Sequence, residues 1–352
     1  MKECLYIVAQ SLQQPRVVKR IIEKSAEYKN IKVYGFKRDF YNVDNSAKLA
    51  DYPNVEVIII GLLRNEQYVH RLFLYLKLLF LLNVKTSFGR KEIYTFGLDL
   101  RFICCFFFNS NIDYEIADIM WLYKSKTARA ILSRIDFYLS KRSQKVIFTS
   151  EGFYRRHYAF LPESQVTIIE NRFKTYGKVK PLDRILTDKI RIAYIGSFRY
   201  ARIITALLNV VRQHHKYELD FYGDGFTDIV EGIKNAAETS PNIHYHGPYK
   251  NPADLESIYA KTNLNFAAYD NTLDNEKVAM PNKFYESGYF NIPIVCSKGT
   301  FVGEKTIEMR MGWLIEPTEE SIESFLGSLS IDDLVTCHER IKKMDRSLFE
   351  VK

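Results

Sequence analysis

Pro281, Lys283 and Glu286 fall close together in Asn275 to Ser297, NEKVAMPNKFYESGYFNIPIVCS, and their types and spacing suit ligand chemistry. Proline fits a first helical position because its missing N–H would have no partner there. A helix entered through Pro281-Asn282-Lys283 and running to about Tyr289 puts backbone N–H groups and a lysine at its N-terminus, which suits a diphosphate. One turn deeper, Glu286 is placed to accept hydrogen bonds from a sugar's vicinal hydroxyls. The same two residues, three apart on a helix, also fit a solvated surface pair.

The flanking sequence must position that helix. An apolar run, Asn263–Tyr269, leads into a polar loop, Asp270 to Val278. Gly288 weakens the helix and Asn291-Ile292-Pro293 ends it, since a residue before proline is pushed towards extended geometry. Ile294-Val295-Cys296 then reads as a buried strand. Upstream, the strand Ile190–Ile195 meets Gly196-Ser197-Phe198-Arg199 and a helix, Ile203–Arg212, in a phosphate-facing order. Arg199 and Arg202 are the cations nearest the glycine there, or else solvent-exposed loop arginines. Leu219–Tyr222 is a strand followed by the loop Gly223-Asp224-Gly225-Phe226. It is not a full G-x-G-x-x-G, because Asp228 stands where the third glycine would be. His244 and His246 share one face of the strand Ile243–Gly247, as two metal ligands would. No cysteine or carboxylate set accompanies them, and no metal is expected.

The first half alternates strands and helices in a Rossmann-like order. Cys4–Ala9, Ile31–Tyr34 and Val55–Ile60 read as strands, and a helix begins near Arg16. This order implies a parallel sheet with helices on both faces. Ligands of such sheets bind beyond the carboxyl ends of the strands. Gln10 to Arg16, with Gln13 and Arg16, is therefore a candidate ligand loop or an ordinary connection. Arg101–Phe108 reads as a buried strand by its continuous apolar character. Ile112–Trp121 reads as another strand with acidic residues towards its end, and Lys145–Gly152 as a strand leading into a loop with Ser150 and Glu151.

Tyr68–Leu82 is the most apolar stretch. At ~15 residues, with His70, Arg71 and Lys77 in it, it is too short and too charged to span a bilayer. It fits a core helix or a helix lying in a membrane interface. The basic helix Lys124–Gln144 carries Lys124, Lys126, Arg129, Arg134, Lys141 and Arg142, which would be drawn to anionic lipid. No nucleic-acid-binding motif accompanies these charges, and no nucleic-acid partner is expected.

The chain has 352 residues, 47% hydrophobic and 26% charged, as in a soluble globular protein of two domains. Its net charge of +8 is unevenly spread: residues 1–180 hold 30 Lys+Arg against 17 Asp+Glu, and residues 181–352 hold 20 against 25. A basic front and an acidic back point to domains with different partners. The expected division is 1–180, 181–330 and a helical tail 331–352 that packs back on the first domain, with a linker in Asn171–Lys189. Five cysteines without metal-ligand spacing point to a reducing cytosol. The N-terminus lacks a signal peptide's apolar core and cleavage site. No Asp-x-Asp, G-x-x-x-x-G-K-[ST], G-x-S-x-G or H-E-x-x-H occurs.

Pro281, Lys283 and Glu286, followed by Asn291, Pro293, Ile294 and Val295, resemble the donor-nucleotide signature of the retaining GT-B glycosyltransferases of family 4 type. The resemblance covers most of the chain, strongly over 190–300 and loosely over 1–170. It implies an α/β GT-B fold of two Rossmann-like domains facing across a cleft. It implies that Glu286 holds the ribose of a nucleotide-sugar, that Arg199 (or Arg202) and Lys283 balance the leaving diphosphate, and that Gly196, Ser197, Gly223, Asp224, Gly225 and Asn282 line the donor site. Where members often carry a His-Asp pair the chain reads Ala117-Asp118, which makes Glu115 and Asp118 the acceptor-side pair. The resemblance also puts Gln13 and Arg16 on the acceptor side and Ser150 and Glu151 at the cleft rim. Many members have a second glutamate eight positions before Glu286. Here that position is Val278, with Asn275 and Glu276 nearby. The implied activity is metal-independent sugar transfer from a nucleotide-diphosphate sugar, with no further cofactor, to a glycan or lipid-linked acceptor. The implied location is the cytoplasm, peripheral at the inner face of a membrane. A sugar-nucleotide epimerase of the same fold, or a non-catalytic scaffold for a partner transferase, are the alternatives.

Overall fold

The computed structural model describes residues 2–39, 44–64, 67–84, 91–107, 110–174, 179–183 and 189–351. The chain forms two compact units, Met1–Ile169 and Glu170–Lys352.

The first unit runs β1 (Lys2–Ala9), α1 (Pro15–Ser25), β2 (Tyr28–Arg38), β3 (Val55–Leu63), α2 (Tyr68–Val84), β4 (Lys91–Phe96), α3 (Leu98–Ile103), β5 (Ser110–Ile116), α4 (Lys126–Lys141), β6 (Lys145–Phe148), α5 (Glu151–Phe153) and β7 (Val166–Ile168). All its strands pair in parallel, in the order β3-β2-β1-β4-β5-β6-β7. Side chains alternate across the strands, so Tyr6 and Val8 of β1 join the core under α2 and α3 while Leu5, Ile7 and Ala9 join the core under α1.

Arg101–Phe108 is not a strand. Its residues to Ile103 close α3, and Cys104–Phe106 continue as a 3₁₀ turn; Phe108 lies outside the described residues. A continuous apolar run has no period to separate helix from strand. Here Leu100, Ile103 and Cys104 pack beneath the sheet, and Gly97 at φ 82° turns the chain into the helix. The next strand also stops early, at Ile116, and Met120–Tyr123 form a 3₁₀ turn.

The second unit runs β8 (Ile190–Phe198), α6 (Ala201–Gln213), β9 (Tyr217–Gly225), α7 (Thr227–Thr239), β10 (Ile243–Gly247), α8 (Leu255–Tyr259), β11 (Leu264–Phe266), α9 (Asn282–Phe290), β12 (Ile294–Ser297), α10 (Phe301–Glu308), β13 (Gly312–Ile315), α11 (Glu319–Ser328) and α12 (Ile331–Lys342). Among its described residues, six parallel strands lie in the order β10-β9-β8-β11-β12-β13.

The boundary falls at Ile169, ahead of the expected 1–180; within Asn171–Lys189, residues 175–178 and 184–188 lie outside the described residues. The tail belongs to the second unit's core through Cys337, Ile341 and Phe349. A Cβ on Gly288 would meet the Phe349 ring at 2.2 Å, so this glycine lets the tail lie against α9. Phe173 and Phe349 are tied by a backbone hydrogen bond of 2.8 Å, and His338 Nδ1 lies 2.7 Å from the Asn291 carbonyl.

Candidate functional site

α9 follows the loop that leaves β11, so its N-terminus lies at the carboxyl edge of the second sheet. Pro281 is its N-cap, in extended geometry, and no side chain caps the first turn. Asn282 is exposed, and every residue from Lys283 to Phe290 is buried. A helix of this composition is held by burial on all sides rather than by an amphipathic stripe.

Lys283 and Glu286 sit one turn apart within that buried helix. Lys283 Nζ is 2.5 Å from Glu286 Oε2 and donates to the Tyr249 hydroxyl at 2.9 Å. Glu286 also accepts from the Tyr259 hydroxyl at 3.0 Å and from Asn251 Nδ2 at 3.4 Å. Burial alone would lower the Lys283 pKa, but contact with Glu286 and Tyr249 outweighs it and holds the ammonium above the ordinary lysine value. Burial, with the Glu286 charge beside it, pushes the Tyr259 phenol well up. The solvated-pair reading is therefore replaced by a buried, hydrogen-bonded one.

Two glycines bring the sheet edge against this pair. Gly196 and Gly223 are register partners at the ends of β8 and β9, with φ of 133° and 146°. A Cβ on Gly223 would lie 1.8 Å from the Gly196 carbonyl oxygen. A Cβ on Gly196 would stand 3.6 Å from Lys283 Cε. Gly223-Asp224-Gly225 is thus paired strand against Gly196-Ser197-Phe198, not a loop; Asp224 turns its own Oδ1 to the Gly225 N–H at 2.8 Å. Ser197 and Arg199 are exposed at this edge, Arg199 with its guanidinium 5.7 Å from the Tyr200 ring. Tyr200 donates to buried Glu276 at 3.4 Å, which ties the β8 edge to the loop before α9. Arg202 lies 3.6 Å from Asp270. Val278 is buried, as are Asn275 and Glu276.

In the first unit Gln13 and Arg16 follow β1, Asp118 follows β5 and Glu151 follows β6, while Glu115 lies inside β5 near its carboxyl end. Glu115 is buried and engaged by Arg16 at 3.0 Å, by Arg20 at 2.9 Å and by the Tyr94 hydroxyl. Gln13 clamps the backbone of Arg38, donating to its carbonyl at 3.0 Å and accepting from its N–H at 2.6 Å. Asp118 is exposed beyond β5. Ser150 caps α5 through the Gly152 N–H, and Glu151 holds Arg155 at 2.6 Å.

The histidines of β10 each face a carboxylate on β9: His244 lies 2.8 Å from Glu218 and His246 2.6 Å from Asp220. Among the described residues no group of three or more His, Cys, Asp or Glu is arranged to hold a metal ion.

Tyr249, Asn251, Tyr259 and Asn265 belong to the site and were not singled out by sequence. Asn265 is fully buried in β11, where it donates to Ser287 Oγ at 2.7 Å and to the Tyr259 hydroxyl at 3.3 Å. An asparagine inside the apolar run Asn263–Tyr269 was the available signal, because a buried amide must find partners.

No protein-family model matches the chain. The succinoglycan biosynthesis protein ExoL of Rhizobium meliloti (strain 1021) is 23% identical over 371 residues, covering 97% of this chain and 88% of that protein. Among solved structures, Anabaena HepE in complex with UDP superposes with a TM-score of 0.71 at 15% identity, over 99% of this chain and 96% of that one. Its complex with UDP-glucose gives 0.69 at 14% identity, over 99% and 95%. Sucrose-phosphate synthase from Thermosynechococcus elongatus gives 0.70 at 13% identity, over 99% and 95%. The chain therefore has the GT-B fold, with two parallel-sheet Rossmann-like α/β domains.

Proposed function

We propose that this protein is a glycosyltransferase that moves a sugar from a nucleotide-diphosphate sugar to a hydroxyl of a glycan or lipid-linked acceptor, with retention, in the manner of family 4. The observation that carries the reading is the buried Lys283–Glu286 pair at the first turn of α9, with the Gly196 edge beside it. Likeness to a protein named for succinoglycan biosynthesis, and to structures of HepE holding UDP or UDP-glucose, supports the substrate class.

In this reading the diphosphate lies at the α9 N-terminus and displaces Glu286 as the partner of Lys283. The released carboxylate takes the ribose hydroxyls, steadied by Tyr259 and Asn251. The bond from the sugar's anomeric carbon to the phosphate oxygen breaks, and the diphosphate leaves with the electron pair. The acceptor oxygen bonds that carbon and its proton passes to the departing phosphate. Lys283, Arg199 and the first N–H groups of α9 stabilise the developing charge without a metal ion. Glu276, carried by the loop before α9, contacts the transferred sugar in place of the missing glutamate at Val278. Asp118 faces the acceptor, and Glu115 positions Arg16 for the same task.

The acceptor is membrane-borne, and the protein is peripheral at the cytoplasmic face. No described helix is long and apolar enough to cross a membrane. Mass spectrometry of products from a nucleotide-sugar panel, with and without a lipid-linked acceptor, tests the reading. Acceptor-dependent sugar addition supports it. Conversion of the nucleotide-sugar with no acceptor present makes the protein an epimerase, and calorimetry showing no nucleotide bound makes it a scaffold.

A further inference from the structure

α2, α3 and α4 are fastened together within the first unit. Leu74, Leu78 and Leu82 of α2 share a core with Leu100 and Ile103 of α3. Arg101 of α3 donates to Ser143 Oγ at 2.9 Å and to the Leu139 carbonyl at 3.2 Å, at the end of α4.

With those residues turned inward, α2 is left with a second apolar face turned outward. Val69, Leu72, Phe73, Leu76 and Phe80 recur at helical spacing and are 85%, 58%, 65%, 55% and 64% exposed. A helix that is apolar on both sides covers a core with one and needs a non-aqueous neighbour for the other. At the end of α3 and in the turn after it, Phe102 and Phe106 are exposed and meet edge to face at 5.9 Å.

α4 adds charge of one sign. Lys126, Arg134, Lys141 and Arg142 are exposed, and Arg142 stacks at 4.5 Å on the exposed Tyr138 ring. α2 contains no Asp or Glu. The one acid of α4, Asp136, is buried and takes hydrogen bonds from Tyr114, Trp121 and Tyr158.

We propose that these helices form a docking surface for an anionic lipid bilayer. α2 lies in the interface plane with its outer face at the acyl boundary, and the α4 cations meet the headgroups. An apolar face too short to span, beside cations with no exposed acid among them, matches that chemistry. A second copy of this chain would bring the same cations against these, and like charges repel across an interface. The proposal deepens the membrane-borne acceptor reading and rests on it only for its purpose.

The test uses the purified chain in cosedimentation with phosphatidylcholine vesicles, with and without phosphatidylglycerol. Leu72→Glu with Phe73→Glu breaks the apolar face, and Arg134→Glu with Lys141→Glu reverses the charge. All four side chains are exposed, and UDP titration of each variant reports separately on the donor site. Binding to the anionic vesicles should weaken with salt, because screening shortens the reach of surface charge. Each double variant should lose at least tenfold in vesicle binding while UDP affinity stays that of the parent. Equal binding to both vesicle types, or binding that either double variant leaves unchanged, overturns the proposal. So does a lipid-free dimer dissolved by Leu72→Glu in a protein that ignores vesicles, since the occupant is then a second copy. Vesicle binding without UDP binding overturns the donor reading and leaves this one standing.

Discussion

Lys283 and Glu286 neutralise one another inside the protein: their side chains are 9% and 2% exposed, with Nζ 2.5 Å from Oε2. A pair of this spacing on a helix surface contributes about 0–1 kcal/mol. A buried one behaves differently, because removing either partner strands a charge and costs about 3–5 kcal/mol. A nucleotide diphosphate that takes over Lys283 must therefore give Glu286 new donors, and ribose hydroxyls are suitable ones.

Glu286→Gln should show this directly. Nucleotide affinity should fall by roughly 1.5–3 kcal/mol, the scale for hydrogen bonds to a charged group. The 2′-deoxynucleotide should bind the parent weakly and lose little more in the variant, since both changes remove one interaction. Calorimetric titration of both proteins with both nucleotides checks it; simple addition of the two losses would take Glu286 off the ribose.

Arg199→Ala separates transition-state charge from folding. The side chain is exposed, so stability should change by less than about half a kcal/mol. Turnover should drop about tenfold to hundredfold, corresponding to roughly 1.5–3 kcal/mol for a charge-assisted hydrogen bond. Single-turnover kinetics beside urea unfolding measure the two quantities. Unchanged turnover would assign the diphosphate to Lys283 and α9 alone.

Glycine substitutions in the second unit should differ in sign. Gly223→Ala puts a Cβ 1.8 Å from the Gly196 carbonyl oxygen at φ 146°, a clash of Cβ with backbone that no side-chain rotation relieves. It should destabilise by more than about 1 kcal/mol, as expected of strain at a special φ/ψ, and weaken UDP binding through Gly196. Gly232→Ala, within α7 with nothing inside 4 Å of the new Cβ, should stabilise by about 0.5–1 kcal/mol. Thermal unfolding of both variants, with a UDP titration of Gly223→Ala, checks the contrast.

Alkaline pH should expose the Tyr259 contact. Burial, with the Glu286 charge beside it, holds its folded pKa well above the ordinary tyrosine value of about 10. The unfolded chain therefore loses this proton first as pH rises. The contribution is fully present below pH 10 and declines above it, by about 1.4 kcal/mol per pH unit for one proton. Tyr259→Phe should reduce the alkaline slope of unfolding free energy by that amount. Urea melts from pH 8 to the alkaline limit decide it, and identical slopes would mean that Tyr259 ionises alike in both states.

The α9 segment was legible because its determinants are local. Proline sets the helix entry, Asn291 and Pro293 end it, and the β-branched run after Pro293 is too short for a helix and suits a strand. The alternation of strands and helices likewise implied two parallel sheets. Arg101–Phe108 was not legible, since an apolar run without a period folds to whichever form its neighbours bury.

By itself, the sequence determined which residues carry charge near glycine and proline, and which stretches must leave water. Only the tertiary structure decided what those charges meet. Glu115 reads as a site acid along the chain, yet Arg16, Arg20 and Tyr94 close around it from α1 and β4. His244 and His246 share a strand face along the chain, and the fold sets each against a carboxylate on the neighbouring strand. Lys283 and Glu286 read as a surface pair or a site, and Tyr249, Asn251 and Tyr259 settled their burial from outside the helix. The physical reason is the same in each case. Hydrogen bonds and ion pairs act over a few ångströms, and the fold alone sets which distant residues come within that range.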